Sequence, residues 1–281
     1  MGIEDEGWRE WGAADARAWI AVPGQADDKY TRGVLGMVTG SDHYPGAAVL
    51  GVEAAMRTGV GMVRYLGASH PQALVLGRRP EVVTAAGRVQ AWLLGSGMDP
   101  ASRSAEEAQR IAEALANGTP MVIDAGALDG LEAATGAVVI TPHYRELSSV
   151  LRARGTEVTA DEIAAHPAVW AVRAAESLGV TVLLKGYTTH VAEPGGVRLR
   201  VTAGTTWLAT AGSGDVLAGI LGALVATHAK AIGEDAAALA PLAATAAVLH
   251  GLAAVRASAG GPIAALDIAE ALPATIAALL G

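Results

Sequence analysis

The sequence contains no cysteine and no phenylalanine, and aromatic residues make up only 4% of its 281 residues. Without cysteine the chain has no disulfide, no cysteine-bound metal and no thiol nucleophile. Charged residues are scarce at 17%, against 52% hydrophobic residues, which is the opposite of a disordered composition. The 35 glycines have no three-residue period, which excludes a collagen-like helix. The chain therefore has enough apolar residues to bury a sizeable core.

The charge balance is acidic, with 28 Asp and Glu residues against 20 Lys and Arg residues and a formal net charge of −8. Proteins that bind a duplex usually present a basic face, so we expect no nucleic-acid partner. The first ten residues lack the basic start and apolar run of a signal peptide. These features predict a soluble, cytoplasmic protein.

The alanine-rich stretch 236–255 is the nearest approach to a membrane span in this sequence. It is interrupted by Pro241, His250 and Gly251, and alanine is barely apolar on insertion scales. The stretch therefore predicts a packed core helix, and we expect no membrane partner.

Short β-branched runs alternate with longer alanine-rich helical runs along the chain. Strands are predicted over 34–38, 61–66, 91–94, 120–123, 138–140, 180–184, 188–192 and 197–201, the last two as a hairpin. Helices are predicted over about 46–58, 104–116, 167–178 and 213–225, and beyond residue 235. Repeated βα units predict an α/β fold with a largely parallel central sheet and helices on both faces. No linker interrupts residues 1–281, so we expect a single domain.

Polar and glycine clusters follow five of the predicted strands. They are Gly40-Ser41, Gly95-Ser96-Gly97, Asp124, Thr141-Pro142-His143 and Lys185-Gly186. Each cluster alone would be an ordinary turn. Together they lie at the carboxyl edge of the predicted sheet, where open α/β sheets bind ligands. A ligand crevice is therefore predicted at this edge.

The sharpest motif is the run Ala-Thr-Ala-Gly-Ser-Gly-Asp at positions 209–215, which precedes an apolar helical run. Small residues let the N–H groups of Gly212, Ser213 and Gly214 turn toward one centre, and the helix dipole adds positive potential there. This pattern predicts an anion site with Asp215 in the first helical turn. An ordinary helix cap is the alternative interpretation of Asp215, which the surrounding glycines disfavour. The run matches neither the P-loop nor the dinucleotide fingerprint.

Residues 208–219 resemble the signature of NAD(P)H-hydrate dehydratases, which belong to the ribokinase-like superfamily. Six further blocks match in order, at 40–47, 57–63, 95–98, 123–125, 141–146 and 184–189. The resemblance covers about residues 29–225 and is specific because seven blocks recur in register. Two positions depart from the pattern, since Ala211 and Thr39 stand where the family usually has glycine. The resemblance further implies a stand-alone enzyme without the epimerase domain that is fused to some members.

The resemblance implies a ribokinase-like fold and a role in nicotinamide cofactor repair. The substrate would be the S epimer of NADHX or NADPHX, the hydrated forms of NADH and NADPH. ADP or ATP would phosphorylate the added hydroxyl, and phosphate would then leave to restore the cofactor. Mg²⁺ would accompany the nucleotide. The family also implies a homotetramer that works with a separate NAD(P)HX epimerase.

The resemblance assigns roles to residues in the matching blocks. Asp215 would be the general base, beside an anion site formed by Gly212, Ser213 and Gly214. Substrate would be bound by Ala47, Gly97, His143 and Asp215. The nucleotide would be bound by Lys185, Gly186, Tyr187, Thr188, Thr189 and Gly214. Glu146 would organise Mg²⁺ through water.

Two other functions fit the same motifs. A ribokinase-like kinase of a small alcohol, such as a thiamine precursor, would share the anion site and the base, but would release a stable phosphorylated product. A non-catalytic nucleotide-binding protein is the second alternative, and an intact Asp215 argues against it. The role of Trp8, Trp11 and Trp19 stays open at this point.

Overall fold

The structure is a computed structural model and describes residues 7–281. A nine-stranded sheet forms the centre of this part of the chain. The strands are β1 (Arg9–Glu10), β2 (Val34–Val38), β3 (Met62–Tyr65), β4 (Ala91–Leu94), β5 (Met121–Ile123), β6 (Val138–Ile140), β7 (Thr181–Leu184), β8 (Thr189–Ala192) and β9 (Arg198–Val201). Their order is β1-β9-β8-β7-β6-β5-β4-β2-β3. All neighbours are parallel except β8, which is antiparallel to β7 and β9. The predicted largely parallel sheet is confirmed.

Eleven α-helices accompany the sheet in the described residues. They are α1 (Ala13–Arg17), α2 (Pro45–Thr58), α3 (Ser69–Arg78), α4 (Ala105–Leu115), α5 (Tyr144–Ala153), α6 (Ala160–Ala165), α7 (Pro167–Leu178), α8 (Ser213–Thr227), α9 (Ala229–Glu234), α10 (Leu239–Ser258) and α11 (Ala265–Leu280). The predictions for α2, α4, α7 and α8 are confirmed. Missing from the sequence predictions are β1, α1, α3, α5, α6, α9 and the 3₁₀ helix Ala125–Ala133.

Helices cover both faces of the sheet, as predicted. Successive strand residues point to opposite faces, so Leu35 and Met37 of β2 join one core while Val34 and Val38 join the other. The first core is completed by α2, α8, α10 and α11. The second core is completed by α4, α5, α6 and α7.

The small residues of α2 and α8 let these two helices approach closely. A Cβ at Gly219 of α8 would lie 2.3 Å from the carbonyl oxygen of Gly51 of α2. A Cβ at Gly51 would lie 3.6 Å from the carbonyl oxygen of Asp215. The packing of α8 on α2 therefore fixes the start of α8, which carries Asp215, against the rest of the fold.

One helix in the described residues, Ala236–Ser258, is long and apolar enough by composition to cross a membrane. Within the fold 78% of its most apolar window is buried, and it packs on α8, α11 and the strands β7, β8 and β9. The prediction of a packed core helix is confirmed.

The three tryptophans near the amino terminus pack on this chain's own core. Trp11 is buried and its Nε1 donates to Thr245 Oγ1 of α10 at 3.2 Å. Trp8 packs edge-on against His190, and Trp19 lies against His228. The segment before β2 therefore packs on α10 and on strand β8.

Candidate active site

The polar clusters that follow the strands meet at one edge of the sheet. The N–H of Gly40, after β2, donates to the carbonyl oxygen of Ser96, after β4, at 2.7 Å. The N–H of Lys185, after β7, donates to the carbonyl oxygen of Pro142, after β6, at 2.9 Å. Asp124 follows β5, which lies between β4 and β6. The predicted crevice is thus formed by the ends of five strands.

Asp124 lies at the centre of this edge and is only 3% exposed. Its Oδ2 accepts a hydrogen bond from Ser96 Oγ at 2.8 Å. Its Oδ1 accepts from Thr141 Oγ1 at 2.7 Å and from Lys185 Nζ at 3.1 Å. A buried carboxylate needs such partners, because burying an unpaired charge is very unfavourable. Sequence reasoning placed Asp124 in the crevice but predicted no role for it.

The amino terminus of α8 has the backbone geometry of an anion site. Gly212 precedes the helix with φ +86°, in the left-handed region, and a Cβ there would lie 2.5 Å from Leu50 Cδ1. Gly212 offers no side chain to cap the helix, and the Ser213 N–H makes only a long 3.4 Å contact with the Thr210 carbonyl oxygen, so the helix start keeps donors for a ligand. Ser213 is buried, and its Oγ lies 3.2 Å from His250 Nε2 of α10. This geometry supports the predicted anion site at Gly212, Ser213 and Gly214.

A positive charge lies over this helix start. A Cβ at Gly214 would be 3.7 Å from Lys185 Nζ, so the ammonium is next to the first turn of α8. Burial disfavours charge on Lys185, but Asp124 and Glu146 outweigh it and raise the pKa of the ammonium. Lys185 is therefore a fixed cation at neutral pH, in position to meet a phosphate.

Asp215 has the electrostatics of a base that works at neutral pH. Burial raises its pKa to about 7, the negative charge of Asp124 adds to the rise, and Lys185 partly offsets it. The ideal pKa of a general base lies near the working pH. An exposed helix cap has no such shift, so this environment favours the catalytic interpretation of Asp215.

A cavity of about 420 Å³ opens beside the start of α8. Five of the predicted nucleotide-binding residues line it, namely Lys185, Gly186, Tyr187, Thr189 and Gly214. Thr188 lines a neighbouring depression of about 350 Å³ instead, and its Oγ1 hydrogen bonds Thr202 Oγ1 at 3.0 Å. The structure therefore groups five of these six residues around one cavity.

Sequence reasoning missed the apolar wall of this cavity. The wall includes Val201, Leu208, Leu217 and Ala247. His250 also lines the cavity, and burial lowers its pKa to about 4, which keeps the imidazole neutral. The residues between β9 and the anion site could have been predicted to line the cavity, because they directly precede that site in the sequence. The residues of α10 could not, because α10 is too far along the chain for a local pattern to place it here.

Ala47 and Gly97 lie in contact on the α2 side of the crevice. Gly97 has φ +66°, and a Cβ there would lie 2.2 Å from Ala47 Cβ. Ser41 Oγ donates to the Gly97 carbonyl oxygen at 2.9 Å and so joins the turn after β2 to the turn after β4. Both positions must be small for this contact. Their role in substrate binding stays a prediction.

His143 begins α5, and its side chain caps that helix. Its Nδ1 accepts from the N–H groups of Arg145 and Glu146, both at 3.2 Å, and the imidazole is 51% exposed. The N–H of His143 in turn donates to Glu146 Oε2 at 2.7 Å. Both residues line a depression of about 480 Å³, and Glu146 Oε2 lies 3.7 Å from Lys185 of the cavity beside α8. The capping role accounts for the position of His143, and its contact with substrate stays a prediction.

Among the described residues, the carboxylate of Glu146 has the chemistry for a water-mediated contact with a magnesium ion. No group of three or more His, Asp or Glu side chains in residues 7–281 could hold a metal ion directly. Glu146 Oε2 lies 3.7 Å from Lys185 Nζ at the rim of the crevice. Mg²⁺ usually keeps several waters and binds through substrate phosphates, so one nearby carboxylate suffices.

The two departures from the family pattern keep the backbone of the crevice, and the Thr39 hydroxyl is buried without a hydrogen-bond partner among the described residues. Among the described residues, only Ala125 and Ala259 are non-glycine residues with positive φ, so Ala211 does not need a glycine backbone. Ala211 is also exposed. Thr39 is buried, and its carbonyl oxygen accepts from Tyr65 Oη at 2.5 Å. Neither residue removes a polar group from the crevice.

Known proteins with a similar sequence include dedicated dehydratases and longer repair enzymes. The ADP-dependent (S)-NAD(P)H-hydrate dehydratase of Xanthomonas campestris pv. campestris is 33% identical over 234 residues, covering 75% of this chain and 78% of that protein. The bifunctional NAD(P)H-hydrate repair enzyme Nnr of Mycobacterium leprae is 44% identical over 226 residues, covering 76% of this chain and 45% of that protein. The chain thus spans about half the length of the Nnr relatives that it matches.

Solved structures show the same fold. The ADP/ATP-dependent NAD(P)H-hydrate dehydratase from Bacillus subtilis, co-crystallized with ATP/Mg²⁺, has a TM-score of 0.84 at 24% identity and covers 98% of this chain and 99% of its own. A ribokinase-like superfamily protein from Enterococcus faecalis has a TM-score of 0.83 at 21% identity, covering 99% of both chains. The predicted ribokinase-like fold is confirmed. Residues 35–274 match the Carb_kinase family, described as NAD(P)H-hydrate dehydratase, and the chain belongs to that family.

Proposed function

We propose that this protein dehydrates the S epimer of NADHX or NADPHX to NADH or NADPH, with ADP or ATP as the phosphoryl donor. The observation that carries the proposal is Asp215, whose pKa is raised to about 7 in the first turn of α8, beside Lys185 and N–H groups that no side chain caps. A base and an anion site at one point suit phosphorylation of a hydroxyl. The names of the dehydratase relatives support the choice of substrate.

The residues divide the chemistry between them. Asp215 takes the proton of the added hydroxyl as the hydroxyl oxygen attacks the terminal phosphorus of the nucleotide. The bridging P–O bond breaks, and AMP leaves from ADP, or ADP from ATP, with the electron pair of that bond. The N–H groups at Gly212, Ser213 and Gly214 hold the moving phosphoryl group, and Lys185 offsets its charge. Phosphate then leaves as the C–O bond breaks and a neighbouring C–H proton is lost, which restores the double bond of the reduced nicotinamide.

The two ligands enter the crevice from different sides in this proposal. The nucleotide occupies the cavity lined by Gly186, Tyr187 and Thr189, with its phosphates toward Lys185. The hydrated nicotinamide lies on the α2 side, near Ala47 and Gly97, and extends toward His143. Mg²⁺, carried on the nucleotide phosphates and neighbouring Glu146 through water, would neutralise part of the phosphate charge.

The direct test is repair of the damaged cofactor. Incubated with mixed NADHX epimers, ADP or ATP, and Mg²⁺, the protein should form NADH from one epimer and release one phosphate per NADH. The absorbance of the reduced nicotinamide and a phosphate assay follow the two products. A stable phosphorylated alcohol without NADH would move the protein to the small-alcohol kinases, and nucleotide binding without turnover would make it a non-catalytic binder.

The pH dependence of kcat/KM should report the titration of Asp215. The carboxylate must be ionised to accept a proton, and its pKa is raised to about 7, so kcat/KM should fall about tenfold per unit below about pH 7 and level off above it. An aspartate with an ordinary pKa would keep the enzyme active to about pH 4. Rates from about pH 5 to about pH 9 decide between them, and a flat profile over that range would contradict the assignment.

We further propose a cytoplasmic homotetramer of single-domain chains that receives the S epimer from a separate NAD(P)HX epimerase. The name "bifunctional" on the longer Nnr relatives supports a second repair activity that is coupled to this one. Sedimentation of the purified protein measures the number of chains. Addition of an epimerase should raise the NADH yield from half of a mixed NADHX sample to all of it.

A further inference from the structure

Asp124 is the most buried charged group of the crevice, and the proposed mechanism gives it no step. We infer that Asp124 is a positioning residue that holds the Lys185 ammonium over the first turn of α8, where a nucleotide phosphate would lie. The inference rests on the proposed function for the identity of the reaction, and on the geometry of these residues for everything else.

The carboxylate of Asp124 is held rigidly by two hydroxyl donors. Ser96 Oγ, after β4, donates to Oδ2 at 2.8 Å, and Thr141 Oγ1, after β6, donates to Oδ1 at 2.7 Å. The strands β4, β5 and β6 are adjacent in the sheet, so these donors reach Asp124 from both sides. The remaining contact is Lys185 Nζ, after β7, at 3.1 Å from Oδ1. A fixed carboxylate therefore sets the position of a long and otherwise mobile side chain.

Lys185 needs this hold because the helix start next to it repels a cation. The amino terminus of α8 carries the positive end of the helix dipole, which repels an ammonium. The other carboxylate near Nζ outside α8 is Glu146, whose Oε2 is 3.7 Å away at the rim of the crevice. Without the charge of Asp124, we expect Nζ to shift toward Glu146 and away from Gly214.

Asp124 also acts on the base. Its negative charge helps to raise the pKa of Asp215, while Lys185 opposes the rise. The other elements packed on the start of α8 present Leu50 and Gly51 from α2, Ala265 from α11, and the neutral imidazole of His250 from α10. Removal of the negative charge of Asp124 should therefore lower the pKa of Asp215.

The first test compares Asp124→Asn with Thr141→Val. Asparagine keeps the shape but loses the charge, so kcat should fall about 10²-fold, the effect of misplacing a catalytic group by about 1 Å. The acid limb of kcat/KM should also move to lower pH, because the charge of Asp124 acts on Asp215 more strongly than the opposing charge of Lys185 that moves away with it. Thr141→Val removes one hydrogen bond but keeps the carboxylate, so it should lower kcat less and leave the acid limb in place. Equal losses in both folded variants, with no shift of the limb, would reduce Asp124 to a structural role.

The second test uses ADP binding alone and does not depend on dehydratase activity. Asp124→Asn should weaken ADP about tenfold in the wild-type background, through loss of the position of one charged donor. In the Lys185→Met background the same change should have no further effect, because Asp124 acts through Lys185. An equal loss in both backgrounds would overturn the inference. If wild-type protein binds ADP but forms no NADH, the proposed function fails while this cycle still decides the role of Asp124.

Discussion

Asp215→Asn should lower turnover on NADHX by a factor on the order of 10² to 10⁴, the usual contribution of a positioned general base. Asparagine has the shape of aspartate but cannot accept the hydroxyl proton. ADP affinity should change little, because the N–H groups at the start of α8 remain. Single-turnover rates and ADP titrations on the same preparation separate the two effects.

Asp267→Asn is a matched control for this substitution. Asp267 is the third residue of α11, as Asp215 is the third residue of α8. Its Oδ2 accepts from the N–H of Ala264 at 2.8 Å, so it is a capping carboxylate, and it does not line the cavity beside α8. If Asp215 were also only a cap, the two asparagine variants would have similar activity. Near-normal turnover of folded Asp215→Asn would remove Asp215 from the mechanism.

The same variant should gain stability at alkaline pH. The pKa of Asp215 is raised to about 7, so the folded state binds a proton more tightly than the unfolded state does. The free energy of unfolding of the wild type therefore falls as pH rises from about 4 to about 7, and the deficit stays at higher pH. Asp215→Asn has no such deficit, and should be more stable than the wild type by about 1–4 kcal/mol at about pH 8 but not at about pH 4. Denaturant titrations at the two pH values measure the difference.

The sheet and the ligand edge were predictable because they depend on short-range patterns. A strand that is buried on both faces is a continuous apolar run, and β2, β4 and β6 have the predicted bounds. Parallel strands bring their carboxyl ends to one edge, so the polar clusters after them had to meet. No such rule predicts which side chains pair there. Asp124 finds its partners 28, 17 and 61 residues away along the chain.

The misinterpreted part of the sequence is the start of α5. Helix amino termini are recognised from Ser, Thr, Asp or Asn caps, and here His143 caps the helix with its ring nitrogen. The Thr-Pro-His block therefore looked like a binding turn only, and α5 was not predicted. Two local signals of a helix were present at this point: Glu146 completes a capping box with His143, and Leu147 and Leu151 have the spacing of a buried helical face.

Arg79→Met should lower the free energy of unfolding by about 3–5 kcal/mol, the loss typical of a broken buried ion pair. Glu53 of α2 is fully buried, and Arg79, just after α3, donates to both of its carboxylate oxygens at 2.5 and 2.6 Å. Burial opposes the charge of Glu53, but hydrogen bonds from Arg79 and Arg57 outweigh it and hold its pKa at about 2. Without Arg79 the buried carboxylate of Glu53 loses one of the two main arginine partners that stabilise its charge. At about 2–4 °C per kcal/mol, the Tm should fall by about 10 °C.

Arg78→Met is the matched control, because Arg78 touches the same carboxylate from farther away. Its nitrogen is 3.5 Å from Glu53 Oε1, it is 40% exposed, and its close partner is the half-exposed Glu270 at 2.5 Å. Pairs of this exposed kind contribute about 0–1 kcal/mol, so the control should be nearly as stable as the wild type. The stabilisation by Glu53 is complete above about pH 4.5 and is lost as pH falls toward about 2, since its folded-state pKa is lowered. Arg79→Met should weaken this acid dependence. Equal stability of Arg79→Met and Arg78→Met at neutral pH would show that the bidentate contact of Arg79 with Glu53 does not stabilise α2 on α3.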